Sequence, residues 1–280
     1  MRAFALALSF GLTTLPQTPT GTPPAASYPF QVGERLQYSA KLGILRLGTA
    51  WMNVNGIDTV RGAESFVFEF GLDASAPFYK SRNVMQSWTG TGDLISRRFR
   101  QDLVENGKER KRYFEIYPDS LKYVQEQRPG SKETVARPLD DAAFFYFLRT
   151  IPLEVGKSYS YDRYFKKSLN PVVIKVVKRE KMELPGGKEV ACLILNPVVG
   201  EEGLFAPKSK AMLWLTDDER RLPVQIRAKL PFGQVTLRLE KISFPGSPFA
   251  SERAWPATSP ASSMPTRTSD PCTPATPTQQ

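Results

Sequence analysis

The sequence contains no histidine and only two cysteines among its 280 residues. Without an imidazole it cannot build a Ser-His-Asp triad, a Cys-His dyad, a zinc site with histidine ligands or a histidine pH switch. Two cysteines, Cys192 and Cys272, are too few for a disulfide framework, a four-thiolate zinc site or an iron–sulfur centre. The composition therefore excludes the enzyme classes that depend on histidine or on clustered thiolates.

The remaining acidic and glycine-rich motifs also have structural explanations. Asp140-Asp141 is typical of a helix cap, Asp217-Asp218 of a turn between strands, and Glu201-Glu202 of an acidic loop. The sequence has no GxSxG motif, P-loop or dinucleotide fingerprint, and Pro185-Gly186-Gly187-Lys188 is typical of a hairpin turn. We therefore predict a protein that is not an enzyme and has no cofactor. An enzyme that uses carboxylates, Lys or Tyr remains the third alternative.

The two ends of the chain differ from its middle. Met1-Arg2 precedes an uncharged, mostly apolar run from Ala3 to Leu15, and Pro/Thr-rich sequence follows to residue 26. This pattern predicts a secretory signal and leader over residues 1–26, with a buried N-terminal helix as the alternative. No cysteine lies nearby to carry a lipid anchor. We therefore expect a periplasmic or secreted protein without a transmembrane segment in its mature chain.

The composition of the carboxyl-terminal region predicts disorder. Residues 246–280 are rich in Pro, Ser, Thr and Ala, a composition that buries too little apolar surface to offset the entropy of ordering. Cys272 lies in this tail, where it is either incidental or able to form a crosslink. Hydrophobic residues make up 41% of the whole chain, enough to fill the core of one domain, which we place at the remaining residues 27–245.

Alternation of apolar and polar residues dominates this domain. Leu36, Tyr38 and Ala40 alternate with polar residues, and Phe66, Phe68 and Phe70 place large rings on one face of a strand. A period of two predicts antiparallel strands with one face on a core, and we count about eleven candidates. One helix is expected over 142–149, after Asp140-Asp141 and before Pro152. We predict a mainly β protein, a single curled antiparallel sheet or half-barrel, with one helix in the concavity.

The order of several motifs resembles the exported bacterial domain-of-unknown-function family numbered 3108. The matching segments are Pro29 to Tyr38, Gly43-Ile44, Gly48-Thr49-Ala50, Gly203-Leu204-Phe205, Met212 to Asp218 and Arg221 to Val224. The late segments are also similar to the closing hairpin of periplasmic lipoprotein carriers of the LolA and LolB kind. Those carriers hold acyl chains inside curled sheets, so the resemblance implies an exported half-barrel. It carries no site residues, and the carriers usually have more than one lid helix.

Aromatic residues on apolar faces are the candidate ligand-lining residues. They are Tyr38, Trp51, Phe66, Phe68, Phe70, Trp88, Phe144, Phe147 and Trp214. Gathered across a curled sheet they form either a filled core or a cavity for an acyl chain. The helix decides between these alternatives, because a fully seated helix plugs the space and a mobile one is a lid.

Two basic clusters flank the hairpin signal Asn106-Gly107. Their residues are Arg97, Arg98, Arg100, Arg110, Lys111 and Arg112. In an exported protein whose formal charge is +10, a positive ribbon would meet anionic envelope surfaces rather than nucleic acid. The alternative is a solvated face that prevents edge pairing.

We therefore predict a non-enzymatic envelope protein that binds a lipid, an acyl chain or another amphiphile in the concave face. The alternative is a structural or interaction module that contacts envelope polymers or partner proteins through a basic face or a sheet edge.

Overall fold

The computed structural model describes residues 28–77, 79–200, 205–230 and 233–245. The predicted signal and leader at residues 1–26, and the predicted tail at 246–280 with Cys272, lie outside the described residues. The described domain contains fourteen strands and one α-helix. The strands are β1 Arg35–Leu42, β2 Leu45–Val60, β3 Ala63–Ala76, β4 Tyr79–Gly90, β5 Ser96–Glu105, β6 Lys108–Tyr117, β7 Lys122–Gln125, β8 Ser131–Glu133, β9 Ser158–Tyr161, β10 Val172–Glu183, β11 Glu189–Val198, β12 Met212–Thr216, β13 Pro223–Leu230 and β14 Gly233–Ser243. The helix, α1, is Asp141–Leu148, and two 3-10 turns lie at Lys167–Leu169 and Pro207–Ser209.

All fourteen strands form one antiparallel sheet. Strands β1 to β8 follow one another to one edge, β14 to β9 follow in reverse order to the other, and β1 pairs with β14 in the middle. Short turns make this order possible, as at Asn106-Gly107, where both residues adopt positive φ of 48° and 78° between β5 and β6. Such a turn matches the twist of the strands it joins. The predicted single curled antiparallel sheet with one helix is confirmed.

The sheet does not close into a barrel. Its edges are the short strands β8 and β9, and the Lys167 ammonium, just after β9, binds the Glu133 carboxylate of β8 at 2.7 Å. We expected about eleven strands because β7, β8 and β9 contain only three or four residues each. Runs this short show too little alternation to be found by their period.

The concave face of the sheet carries the core. Along β3, Phe66, Phe68 and Phe70 are buried and point inward, as their alternation predicts. Cross-strand pairing extends the same face to Met52 on β2 and to Met85 on β4, which lie opposite Phe70. The core therefore runs across neighbouring strands as rows of inward side chains.

Helix α1 lies inside the concavity. The Asp140 carboxylate caps its first turn by accepting hydrogen bonds from the N–H groups of Ala142 and Ala143 at 3.0 and 2.9 Å. Every residue from Ala142 to Leu148 is buried, as expected of a helix that is apolar on all sides. The helix ends one residue earlier than predicted, because the Arg149 N–H donates to the Tyr146 carbonyl three residues back, at 3.1 Å, in a 3-10 turn.

Candidate functional site

The aromatic side chains under α1 are tightly packed. The ring of Tyr146 stacks on Phe68 with centroids 3.8 Å apart, and the ring of Phe145 stacks on Phe70 at 4.9 Å. Phe30, from the segment before β1, meets Phe66 edge to face at 5.6 Å. Stacked and edge-to-face pairs at these distances add attraction beyond simple burial. They hold the helix against β3.

Seven of the nine predicted lining residues belong to the buried hydrophobic core. They are Tyr38, Phe66, Phe68, Phe70, Phe144, Phe147 and Trp214. Phe144 lies 5.4 Å from Phe205, and Phe147 lies 5.2 Å from Tyr161 near the far edge of the sheet. The helix therefore contacts both halves of the curled sheet. The same core contains Phe30, Phe145, Tyr146 and Phe205, which the sequence did not predict because none of them lies in a strand whose alternation would assign it a face.

Trp51 and Trp88 lie on the opposite face of the sheet, which corrects their predicted placement. Trp51 pairs across the strands with Gly71, and its indole N–H donates to the buried carboxylate of Glu69 at 2.6 Å. A Cβ on Gly71 would lie 2.0 Å from the Trp51 ring, so glycine is needed there. The Trp88 N–H donates to Asp58 at 2.9 Å, and the residues beside it in the chain face inward.

Trp214 belongs to the hydrophobic core, but its polar contacts lie on the outer face of the sheet. Its neighbours Leu213 and Leu215 point into the core, so alternation turns Trp214 to the other face. There its N–H donates to Glu180 at 2.5 Å, and the Arg227 guanidinium lies 4.7 Å above its ring. All three tryptophans are buried among polar and cationic groups of the outer face.

Alternation along each strand explains the faces of these tryptophans. The register shifts next to Trp88 and Trp214 place the extra residue on the neighbouring strands β5 and β13, and therefore leave both tryptophans in phase with their own strands. In β2 the inward residues are Ala50, Met52 and Val54, an apolar series that alternates with Trp51. That series was the sequence signal that would have placed Trp51 outward.

The concavity beneath α1 is filled rather than open. Two shallow concavities of about 410 and 430 Å³ occur in the described domain, and neither is lined by α1. Of the alternatives left open by the sequence, the seated helix favours the plug. Any ligand on the concave face must therefore contact the part of that face that α1 leaves uncovered.

The part of the concave face that α1 leaves uncovered lies on β3 to β6, next to the row of inward residues that contains Phe68. One row of inward residues across these strands is Phe70, Met85, Gln101 and Arg112, and the next is Leu72, Asn83, Leu103 and Arg110. Leu72, Asn83, Gln101 and Leu103 are partly exposed, and both arginines are exposed. Each row changes from apolar to cationic within about 15 Å, because paired strands lie roughly 5 Å apart. The surface is amphipathic.

The predicted positive ribbon is divided by the sheet, which corrects that placement. Arg98, Arg100 and Lys111 lie on the outer face, whereas Arg110 and Arg112 lie on the concave face. Four of the six predicted residues form ion pairs: Arg97 with Asp93, Arg98 with Glu115, Arg110 with Glu105 and Lys111 with Glu109. The Arg100 guanidinium lies 5.1 Å from the Tyr113 ring. Arg112 has no ion pair within the described residues.

A buried polar cluster holds the beginning of α1. Ser87 donates its hydroxyl to the Asp140 carboxylate at 2.6 Å and lies 2.7 Å from the Thr89 hydroxyl, while the Asp140 N–H donates to Ser96 at 3.0 Å. Burial raises the pKa of Asp140 to about 7, although hydrogen bonds from Ala143, Ser87 and Ser96 oppose that rise. The predicted role of Asp140 as a helix cap is confirmed.

Two tyrosine hydroxyls in the core give a matched pair of substitutions. The Tyr38 hydroxyl donates to the Pro223 carbonyl at 2.9 Å, whereas the buried Tyr146 hydroxyl has no partner among the described residues. We expect Tyr146→Phe to leave the free energy of unfolding unchanged or to raise it by about 1 kcal/mol, because the ring stack remains. Tyr38→Phe should lower it by about 1 kcal/mol. Urea titrations of both variants test this, and equal losses would contradict it.

The fold and the arrangement of these residues define a class: an open, curled antiparallel β half-barrel whose concave face is plugged by one short helix. The chain belongs to the family described as Protein of unknown function (DUF3108), whose model matches residues 37–240. The predicted family resemblance is confirmed.

One of the solved structures that match the chain shares this fold. The crystal structure of a beta-barrel-like protein of the domain of unknown function DUF1849 from Brucella abortus is similar, with a TM-score of 0.50 and 11% identity over 76% of this chain and 97% of that one. The hypothetical protein CT021 from Chlamydia trachomatis has a TM-score of 0.26 and 11% identity over 81% of this chain and 93% of its own. None of the curated proteins matches the chain. Within the described residues, no helix is both long and apolar enough to span a bilayer.

Proposed function

We propose that this protein is a non-enzymatic component of the cell envelope that binds an amphiphilic ligand on its concave face beside α1. The observation that carries the proposal is the change from apolar to cationic residues along the rows on β3 to β6, in which Leu72 and Leu103 are partly exposed. An amphiphile has the same two-part character, so its chain would lie along Leu72 and Leu103, beside the buried Phe70 and Met85. Its polar end would lie toward β6.

The site differs from the one expected from the sequence. The expected acyl cavity ran through the middle of the half-barrel, where α1 now fills the space with buried rings. A shallow site beside the helix needs no movement of α1. It also leaves the stack of Phe145 on Phe70 intact.

The alternative function, contact with envelope polymers through a basic ribbon, is less well supported. Arg98 and Arg110 each have a carboxylate partner at 2.5 Å, so much of the ribbon's charge is neutralised within the protein. Export itself rests on the predicted signal over residues 1–26 and remains part of the proposal.

Two measurements test the proposal. Native mass spectrometry of protein extracted from the producing cells should show a bound lipid mass, and calorimetry should show saturable binding of a dodecyl-chain amphiphile. Leu103→Glu should weaken that binding by roughly tenfold, because it places a charge where the chain would lie. Leu45→Glu, at the exposed tip of the β1–β2 hairpin, is the matched control and should bind like the wild type. Repeated recovery without lipid and no saturable binding would refute the proposal.

A further inference from the structure

Four cationic side chains gather around a small aromatic cluster at the β6–β8 edge of the concave face. The cluster consists of Phe114, Tyr123 and Phe165, whose ring centroids lie 5.2 to 6.0 Å apart. The Lys166 ammonium lies 5.3 Å from the Phe114 centroid and 5.2 Å from that of Phe165. It therefore sits directly over the aromatic faces.

The other three cations reach the same place from neighbouring elements. Arg112 precedes Phe114 by two residues on β6, so both project from the concave face. Lys132 on β8 pairs directly with Tyr123 on β7, and Arg128 lies in the turn that joins these strands. We name Arg112, Arg128, Lys132 and Lys166 the cationic cluster.

The members of the cationic cluster form no ion pairs within the described residues, unlike the basic residues around them. Close by, Arg110 pairs with Glu105 and Lys167 pairs with Glu133. Asp141 is a nearby carboxylate, and it accepts the Tyr164 hydroxyl at 2.9 Å. Four cations against one carboxylate leave a local excess of positive charge at the beginning of α1.

This concentration of positive charge affects the pKa of Lys166, a member of the cationic cluster. Burial lowers the pKa of Lys166, and the positive charges of Arg112, Lys132 and Arg128 lower it further, while Asp141 acts in the opposite direction. Like charges held together on a partly buried surface repel one another unless an anion joins them. Several cations with few carboxylates among them are typical of a surface that binds a negatively charged group.

The cationic cluster also lies at the polar end of the amphipathic rows. Arg112 is the last residue of the row that begins at Phe70 and continues through Met85. We propose that the cationic cluster binds the anionic headgroup, a phosphate or a carboxylate, of the amphiphile whose chain lies along that row. This inference rests on the proposed function, because it assigns the charge of the ligand and the residues that recognise it.

Three ligands with the same dodecyl chain separate the two proposals: dodecyl phosphate, laurate and uncharged dodecyl maltoside, each measured by calorimetry below its micelle concentration. We expect the wild type to bind one or both of the anions at least about tenfold more tightly than the maltoside, with affinity that falls as salt rises. Inorganic phosphate is the fourth ligand. If it bound as tightly as dodecyl phosphate, the site would be one for free anions and the headgroup assignment would be wrong.

The decisive variant is Arg112→Gln combined with Lys166→Gln. It should lose at least about tenfold in affinity for the anionic ligand and nothing for dodecyl maltoside. Lys111→Gln is the matched control, because Lys111 is next to Arg112 on β6 but points to the outer face, and it should change affinity less than twofold. The double variant should also unfold at the same or a higher temperature than the wild type, since it relieves repulsion.

The possible failures can be told apart. If the double variant bound the anions as the wild type does, the cationic cluster would not be the headgroup site, although the proposed function would stand. If the wild type bound none of the dodecyl ligands, the proposed function itself would be refuted.

Discussion

Replacing Arg149 with methionine is expected to lower the free energy of unfolding by about 3 to 5 kcal/mol, measured by urea denaturation at neutral pH. Arg149 is 2% exposed, and its guanidinium binds the buried Glu34 carboxylate at 2.5 Å. The same group donates to the carbonyls of Pro29 and Arg220 at 2.6 and 3.0 Å. Methionine fills much of the volume but leaves one buried charge and two carbonyls without their donor.

The size of this effect follows from burial rather than from the ion pair as such. Removing one partner leaves the other charge buried without a counter-charge, whereas replacing both partners with apolar side chains leaves no charge in the interior. The double variant Glu34→Leu with Arg149→Met should therefore recover most of the loss. Arg110→Ala breaks an exposed ion pair with Glu105 and should cost less than about 1 kcal/mol. A loss of under 1 kcal/mol for Arg149→Met would contradict the assignment.

Arg149 also explains how α1 is fixed in the concavity. It joins the end of the helix to the segment before β1 and to the loop between β12 and β13, while Asp140 fixes the beginning through Ser87 and Ser96. Both ends of the plug are thus bound to different parts of the sheet. This arrangement favours a ligand site beside the helix over one that requires the helix to swing out.

Local patterns in the sequence predicted the parts of the fold that local forces determine. Phe66, Phe68 and Phe70 alternate without interruption, so the face they share was predicted correctly. Asp140 precedes an apolar run, and its side chain caps α1 as its chemistry favours. These features depend on residues within one turn or one strand, and their signals are complete in a short stretch of sequence.

The features that the sequence did not predict depend on residues far apart in the chain. Trp51 and Trp88 find their polar partners on the outer face, Glu69 and Asp58, on other strands of the sheet. Glu34 and Arg149 are 115 residues apart, and the cationic cluster draws on a strand, a turn, an edge strand and a loop. No spacing rule connects such positions, since only the order of strands in the sheet brings them together.

The buried carboxyl of Asp140 should make stability depend on pH. Its pKa rises from an ordinary 3.8 to about 7 in the folded protein because burial disfavours the charged form. Between about pH 4 and pH 7 the folded state therefore holds more protons than the unfolded chain. The free energy of unfolding should fall as pH rises through that window and stay level above it, by up to about 4 kcal/mol.

Asp140→Asn isolates this contribution, because asparagine can still cap the helix and can donate to Ser87 as a protonated carboxyl would. Urea titrations from pH 4 to pH 8 should show variant and wild type alike at pH 4 and the variant more stable at pH 8. Asp140→Ala, which loses the cap and leaves Ser87 without its acceptor, should be less stable than Asp140→Asn at every pH. A difference between Asp140→Asn and wild type that did not change from pH 5 to pH 8 would show that Asp140 is ionised throughout. Its carboxylate would then be stabilised by the three hydrogen bonds from Ala142, Ala143 and Ser87 more than burial disfavours it.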